Sequence, residues 1–447
     1  MFSVTSLGFL PFMALFVCLW YHVPQPSRWK LVLAANAVFC LSIDIGAFFA
    51  VALATAVVWQ AAQHAQPEQP SRRGWLALGL AAALLPLLVL KYSGMLVPGL
   101  RDLYKPFGLA YYSLQLAGYL LDVWHGRTAP TPSYARLWCY AGFFLSLTQG
   151  PFNRYNTLMP QLEAAPKTFE TQRLISGLQR SAWGYFKKFA IADRAAIVVS
   201  AAFADPASFD RSQLIFATVM YSFQLYADFS GYTDIVLGMG EILGLHLPEN
   251  FRQPFFSASV KELWARWHIS LSQWFRDYVY IPLGGNRKGL KRQIFNLFVV
   301  ELLTGIWHGA DWNFICWGLY YFVLLALEKL FLLKYLEKGR IWPHIYTMFL
   351  VVVGWAMFVG NEAGVGFGLL FRKLFLPSGG ASPVYFLRNY GVLLAVSILC
   401  CTPLIEKLWN ALRKHTVTRV AAVLVLLVLS TAYVVGSTNS PFLYFNF

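Results

Sequence analysis

The sequence predicts an all-α protein that crosses a membrane many times. Composition points there first: hydrophobic residues fill 57% of the 447 positions and charged residues only 13%, about half the charged share of a soluble globular chain. Mean hydropathy is +0.52. The apolar residues also gather in runs close to the ~20 residues that a helical span needs. Together these features exclude a disordered polymer and argue against an ordinary soluble enzyme. Six cysteines in 447 residues are too sparse for a secreted disulfide scaffold. The formal net charge of +15 reads as loop charge facing cytoplasm and anionic lipid, not as a nucleic-acid footprint.

The clearest apolar runs are 4–21, 31–62, 75–90, 137–149, 188–203, 212–245, 293–308, 312–333, 345–360, 387–403 and 418–436. Residues 31–62 are long enough for two spans, broken near Ser42 to Gly46, and 212–245 reads as two broken near Ser230-Gly231. The expectation is about 11 to 13 transmembrane or re-entrant helices. Residues 1–21 lack the basic start and small-residue cleavage site of a signal peptide. Arg28 and Lys30 follow the run, which places the N-terminus outside. Basic loops at Arg287 to Arg292, Lys334 to Arg340 and Lys407 to Arg419 read as cytoplasmic, which puts the C-terminus outside as well. Two weaker basic stretches, Lys91 to Lys105 and Arg372 to Arg388, fit this scheme poorly. No internal repeat is visible. The reading is one membrane domain over 1–447: N-terminal helices 1–135, a core 136–325, C-terminal helices 326–436 and an aromatic tail 437–447.

Residues 246–292 are too polar to span. Ser259 and Glu262 have the capping-box spacing that opens a helix. Val260, Leu263, Trp264, Trp267, Leu271, Trp274, Phe275 and Tyr278 then recur at i, i+3, i+4 and i+7, with Lys261, Arg266, Gln273 and Asp277 on the other side. Pro282 and Gly284-Gly285 end the pattern. Such a helix either lies in the membrane interface or forms a docking surface or a roof over a substrate portal.

Of eight histidines, six sit in polar loops or at span ends. His268 lies on the edge of the amphipathic face. His308 stands between two apolar runs, in Thr304-Gly305-Ile306-Trp307-His308-Gly309-Ala310-Asp311-Trp312. An ionisable residue at membrane depth is a candidate functional group; the structural alternative is a histidine hydrogen-bonded to another helix. Histidine suits acyl transfer, because a pKa near about 6.5 lets it take a proton from a hydroxyl and return it to a leaving group. No nucleophile elbow G-x-S-x-G, phosphate loop or dinucleotide fingerprint occurs. The cysteines show no ligand spacing, so no metal site is expected.

Four segments resemble the membrane-bound O-acyltransferases. They are Thr148-Gln149-Gly150-Pro151-Phe152-Asn153-Arg154-Tyr155; Tyr226-Ala227-Asp228-Phe229-Ser230-Gly231-Tyr232-Thr233-Asp234; Asn250-Phe251-Arg252-Gln253-Pro254-Phe255 leading through Trp264 to Leu271, Trp274 to Tyr278 and Ile281 to Arg287; and Trp307-His308-Gly309-Ala310 with Trp312 and Trp317-Gly318. They cover most of 140–323. The resemblance implies that His308 is the active-site histidine, that His268 is the second and more variable one, and that a tunnel admits an acyl thioester from the cytoplasm and an acceptor from the other face. The donor it implies is acetyl-coenzyme A or another acyl thioester, with no bound cofactor. The run Ile281-Pro282-Leu283-Gly284-Gly285-Asn286-Arg287 is similar to the bacterial alginate O-acetyltransferase branch. It implies O-acetylation of an extracytoplasmic polysaccharide in the bacterial inner membrane, completed by a separate extracytoplasmic esterase-like partner.

The tail Phe442-Leu443-Tyr444-Phe445-Asn446-Phe447 is similar to a short aromatic motif of this group. Tyr444 is therefore either an acyl relay or an interfacial anchor. Asp228, Ser230, Tyr232 and Asp234 interrupt an apolar run and either line a tunnel or join helices. Trp307 and Asn250 belong to the same support set, Asp311 is placed to orient His308, and Arg276 and Asp277 are placed to pair. The alternatives are D-alanyl transfer to teichoic acid, or a transport or scaffold component of a polysaccharide export complex.

Overall fold

In the computed structural model, residues 4–6, 8–100, 103–206, 209–362, 367–375, 384–412 and 415–435 are described. Among them the chain is helical, and the only β-type pairing is one antiparallel bridge between Phe251 and Trp267. Two compact units form: residues 1–181 with 232–249, and residues 182–231 with 250–447.

The first unit begins with α1 (Phe9–His22), α2 (Arg28–Ile43), α3 (Ile45–His64), α4 (Arg72–Leu96) and α5 (Leu109–Trp124). Phe9, Met13, Phe16 and Trp20 recur at helical spacing and form the buried face of α1. The expected break between α2 and α3 is present. Asp44 adopts extended backbone and its carboxylate accepts from the Gly46 amide at 2.9 Å, a side-chain cap for donors that the new helix leaves open. Next come α6 (Tyr134–Ala141), α7 (Tyr155–Ala164) and α8 (Thr171–Phe186). The apolar run 137–149 is only partly helical. After Ala141 the chain is irregular yet fully buried, and Asn36 ties it down by donating to the Cys139 carbonyl and accepting from the Phe144 amide, both at 2.9 Å. Burial of a run is thus a weaker statement than helicity.

After a widened π-helical turn at Lys187–Ala192 come α9 (Asp193–Ala204) and α10 (Arg211–Ile242). The expected break near Ser230-Gly231 is absent: α10 is one helix of 32 residues. Its polar residues find partners without interrupting it, as described below.

The rest of the second unit holds α11 (Val260–Arg266), α12 (Ile269–Phe275), α13 (Gly289–His308), α14 (Trp312–Leu327), α15 (Leu333–Leu336), α16 (Trp342–Glu362), α17 (Phe367–Phe375), α18 (Val384–Cys400), α19 (Pro403–Leu412) and α20 (Thr416–Val435). Helices α13 and α14 pack backbone to backbone. A Cβ on Gly305 would meet the Phe314 carbonyl, and one on Gly318 would meet the Glu301 carbonyl, so small residues set this approach. Among the described residues, five helical segments are long and apolar enough to cross a membrane: α3, α4, α14 continued through α15, α16 and α20. The α18–α19 pair, bent by 71°, makes a sixth if counted as one span. Several other expected spans are short helices, such as α1 with 14 residues and α9 with 12, while α13 carries Lys291, Arg292 and Glu301 within its 20 residues.

Candidate active site

Helix α13 ends at His308, and Gly309 leaves the helix with its amide still bonded to the Gly305 carbonyl at 3.3 Å. Gly309 lies against the Phe314 ring, where a side chain has no room. Asp311 then starts α14: its carboxylate accepts from the Asn313 amide at 2.8 Å. Asp311 is therefore a helix cap, and the expectation that it orients His308 gives way to this local role. The demand of the new helix for an acceptor is satisfied at the shortest range.

His308 is buried among rings. Its imidazole meets Trp307, Trp317 and Phe358 edge to face, at centroid distances of 4.9, 5.1 and 5.3 Å. Trp355 and Tyr321 extend this aromatic wall around Trp317. Trp307 also stands 6.1 Å from the ring of His268, so one indole touches both histidines.

The amphipathic pattern at 260–278 is real, but it is not one continuous helix. It breaks at Trp267-His268, where His268 takes left-handed backbone (φ +44°). That conformation is uncommon for a non-glycine residue. The break is held from outside. The Asn250 carbonyl accepts from the Ile269 amide at 3.1 Å, and its side-chain oxygen accepts from the Ser270 amide and hydroxyl at 3.1 and 2.6 Å. The Phe251–Trp267 bridge lies next to it. Asn250 thereby shapes the backbone that carries His268. At the other end, Ser259 accepts from the Glu262 amide at 3.0 Å, as the capping box predicts. Glu328, which follows α14, adds a second cap by accepting from the Val260 and Lys261 amides at 2.7 and 3.0 Å. The apolar face of this stretch is buried inside the second unit, with Leu263 and Trp267 in its core. An interfacial anchor is therefore not its role.

His268 is 2% exposed and stacks edge to face on Phe229 at 4.7 Å. Burial pushes its imidazole down to about 3, because desolvation disfavours the charged form. His268 and His308 line one cavity of about 250 Å³ together with Lys261, Trp264, Arg276, Glu301 and Thr304. Residues Glu301, Thr304 and His308 recur at i, i+3 and i+7 and so share one face of α13. Arg276 pairs with Asp277 at 2.8 Å, as expected from their adjacency. A larger cavity of about 700 Å³ in the same unit, lined mainly by apolar side chains such as Phe223, Met348 and Val352, holds none of the candidate site residues.

The polar residues of α10 join helices. Lys188 is buried between Asp228 at 2.7 Å and Asp193 at 2.9 Å, and Lys187 donates to the Ser230 hydroxyl at 2.8 Å. In the first unit, Tyr232 and Thr148 share a hydrogen bond of 2.5 Å, which links the first and second resemblance segments. Arg180 bonds Asp234 at 3.0 Å and both oxygens of Glu249 at 2.7 and 2.6 Å. Tyr444 lies outside the described residues. Sequence reasoning missed Glu301, Lys187, Lys188 and Lys261. Glu301 carried a usable signal: a carboxyl inside the apolar run 293–308, two helical turns before His308. Lys187 and Lys188 carried none, because their partners Ser230 and Asp228 are 43 and 40 residues away.

Residues 91–362 match the MBOAT, membrane-bound O-acyltransferase family. The relative from Azotobacter vinelandii named "Probable alginate O-acetylase AlgI" is 34% identical over 374 residues, covering 79% of this chain and 74% of its own length. The "Peptidoglycan O-acetyltransferase" of Helicobacter pylori is 32% identical, covering 60% of this chain and 57% of its own length. The "Teichoic acid D-alanyltransferase" of Bacillus subtilis is 28% identical, covering 70% and 85%.

Proposed function

Because the chain belongs to the membrane-bound O-acyltransferase family, we propose that this multi-pass enzyme moves an acetyl group from a cytoplasmic thioester to the outer face for O-acetylation of an extracytoplasmic polysaccharide. The observation that carries the site is the shared cavity: two buried histidines from different elements line one space. His308 is the general base. Its imidazole takes the proton of the attacking hydroxyl as the new C–O bond forms. The C–S bond then breaks, and the imidazolium returns the proton to the departing thiolate, so the products are an ester and a thiol. Neutral His268 and the indole of Trp307 hold the other side of the cavity without adding charge. Lys261 and Arg276 line the same cavity and suit the phosphates of a coenzyme A or carrier-protein arm. Names of the relatives that modify alginate and peptidoglycan support acetyl as the group and a glycan as the final acceptor. A separate extracytoplasmic protein of the esterase type completes the transfer, and both chain termini lie on that side.

The deciding test is the base-labile ester content of the cell-surface glycan, wild type against His308→Ala at matched membrane abundance. The expected result is loss of released acetate by about 100-fold or more. Loss of D-alanine instead would favour the second reading, which the D-alanyltransferase relatives support. An unchanged ester content in an abundant variant would overturn His308 as the base. Tyr444 is the acyl relay in this scheme. Intact mass of the C-terminal peptide after donor loading is expected to rise by one acetyl group, and no such species would remove Tyr444 from the pathway.

A further inference from the structure

Two polar side chains of the histidine cavity are placed to bond a ligand. Trp264 lines the cavity, yet its indole N–H is buried with no acceptor. Glu301 is 7% exposed, lines the same cavity and makes no ion pair. Buried polar atoms in folded proteins are nearly always satisfied, and an exception at a cavity wall points to a ligand. The two groups are complementary in kind, since an indole nitrogen only donates and a carboxyl oxygen accepts. They are also fixed in place. The Glu301 backbone is pressed against Gly318 of α14. Trp264 is wedged edge to face against Trp317 and Tyr321 at 5.6 and 4.9 Å, on a helix capped by Ser259 and Glu328.

A group that offers one acceptor and one donor a short distance apart would satisfy both, and a secondary amide is that group. Glu301 precedes His308 by seven residues on one helix face, about 10 Å along the axis at 1.5 Å per residue. The basic side chains Lys261 and Arg276 line the same cavity. We infer that Glu301 and Trp264 form a secondary-amide subsite that grips the arm of the thioester donor: the Glu301 carboxyl accepts the amide N–H, and the Trp264 indole donates to the amide carbonyl. This rests on the proposed thioester donor and deepens it, because it names the part of the donor that the cavity reads. The phosphates are held by charge and the amide by matched hydrogen bonds. A thioester without an amide leaves both groups unpaired, which is the situation in which a polar site discriminates most strongly.

The full-length protein in lipid nanodiscs would be assayed for thiol release with two donors: S-acetyl-N-acetylcysteamine, which carries one amide, and S-ethyl thioacetate, which carries none. The wild type is expected to prefer the amide donor in kcat/KM by about 10- to 100-fold, mainly through KM. Trp264→Phe, which keeps the ring and removes the N–H, and Glu301→Leu are each expected to bring this preference at least about 10-fold closer to one. Glu301→Gln keeps an acceptor oxygen and is expected to restore most of it. A preference unchanged in both variants, or one absent from the wild type, would overturn the subsite. His308→Ala separates the two claims. If it abolishes turnover of both donors while the preference is insensitive to Glu301 and Trp264, the subsite fails and the acyltransfer site stands. If His308→Ala turns over both donors normally, the acyltransfer site itself fails.

Discussion

At the scale of single residues, neighbouring polar groups of the site have different surroundings. His308 and Asp311 are three positions apart and both polar, yet their surroundings differ. His308 is walled by three rings and faces the cavity, whereas the Asp311 carboxylate is spent on the first turn of α14. Asp311→Ala is therefore expected to cost about 1 kcal/mol of stability, the usual worth of a cap. It should lower thermal stability in detergent while leaving the pH profile of acyl transfer unmoved; a displaced profile would return Asp311 to the histidine. The residue types at these positions were legible in the sequence. Which neighbour each would choose was not, because a cap and a catalytic orienter look alike until the backbone direction is known.

At the scale of elements, the α13–α14 hairpin is what places His308. Gly305 and Gly318 let the two helices touch along their backbones, so His308 and Glu301 are held on a stiff support. Gly318→Leu would drive a side chain into the Glu301 carbonyl. The expected result is a loss of roughly 1–3 kcal/mol from overpacking together with a large drop in activity, measured as melting temperature and thiol release; a fully stable, active variant would show that the close approach is dispensable. The stretch 260–278 teaches a second lesson. Its hydrophobic period and its capping box were both readable, and both are present. The break at His268 was not readable, because it is imposed by Asn250, 18 positions earlier, and by the Phe251–Trp267 bridge. Local periodicity continues smoothly across a kink that tertiary hydrogen bonds create.

At the scale of the whole molecule, charge buried among apolar helices must be paired to be tolerated. The second unit meets this by setting Lys188 between Asp228 and Asp193 beside a widened turn of helix. Lys188→Ala would leave two carboxylates facing each other in a buried site. The expectation is a loss of about 3–5 kcal/mol, read as poor membrane accumulation and a lowered melting temperature. Lys188→Ala combined with Asp228→Asn should recover part of this; no recovery would mean that the cluster is not held by charge pairing. The count of long apolar helices, five or six among the described residues, falls below the number of apolar runs for a related reason. Runs that are buried by protein need not be long enough to face lipid over a full crossing.

The sequence by itself determined the class and the family, and it singled out the two histidines of the proposed site. Composition, run length and the motifs around Trp264 to Arg287 and Trp307 to Trp317 are properties of residues close together in the chain. Tertiary structure alone decided that His268 and His308 line one cavity, that Asp311 serves a helix instead of a histidine, and that Lys188 neutralises Asp228. It also brought Trp264 and Glu301 to the same cavity. Apart from the local cap at Asp311, these relations join positions 37 to 40 apart in the chain, and no local period or spacing encodes a contact at that range. It exists only when helices pack closely enough for buried polar groups to require partners.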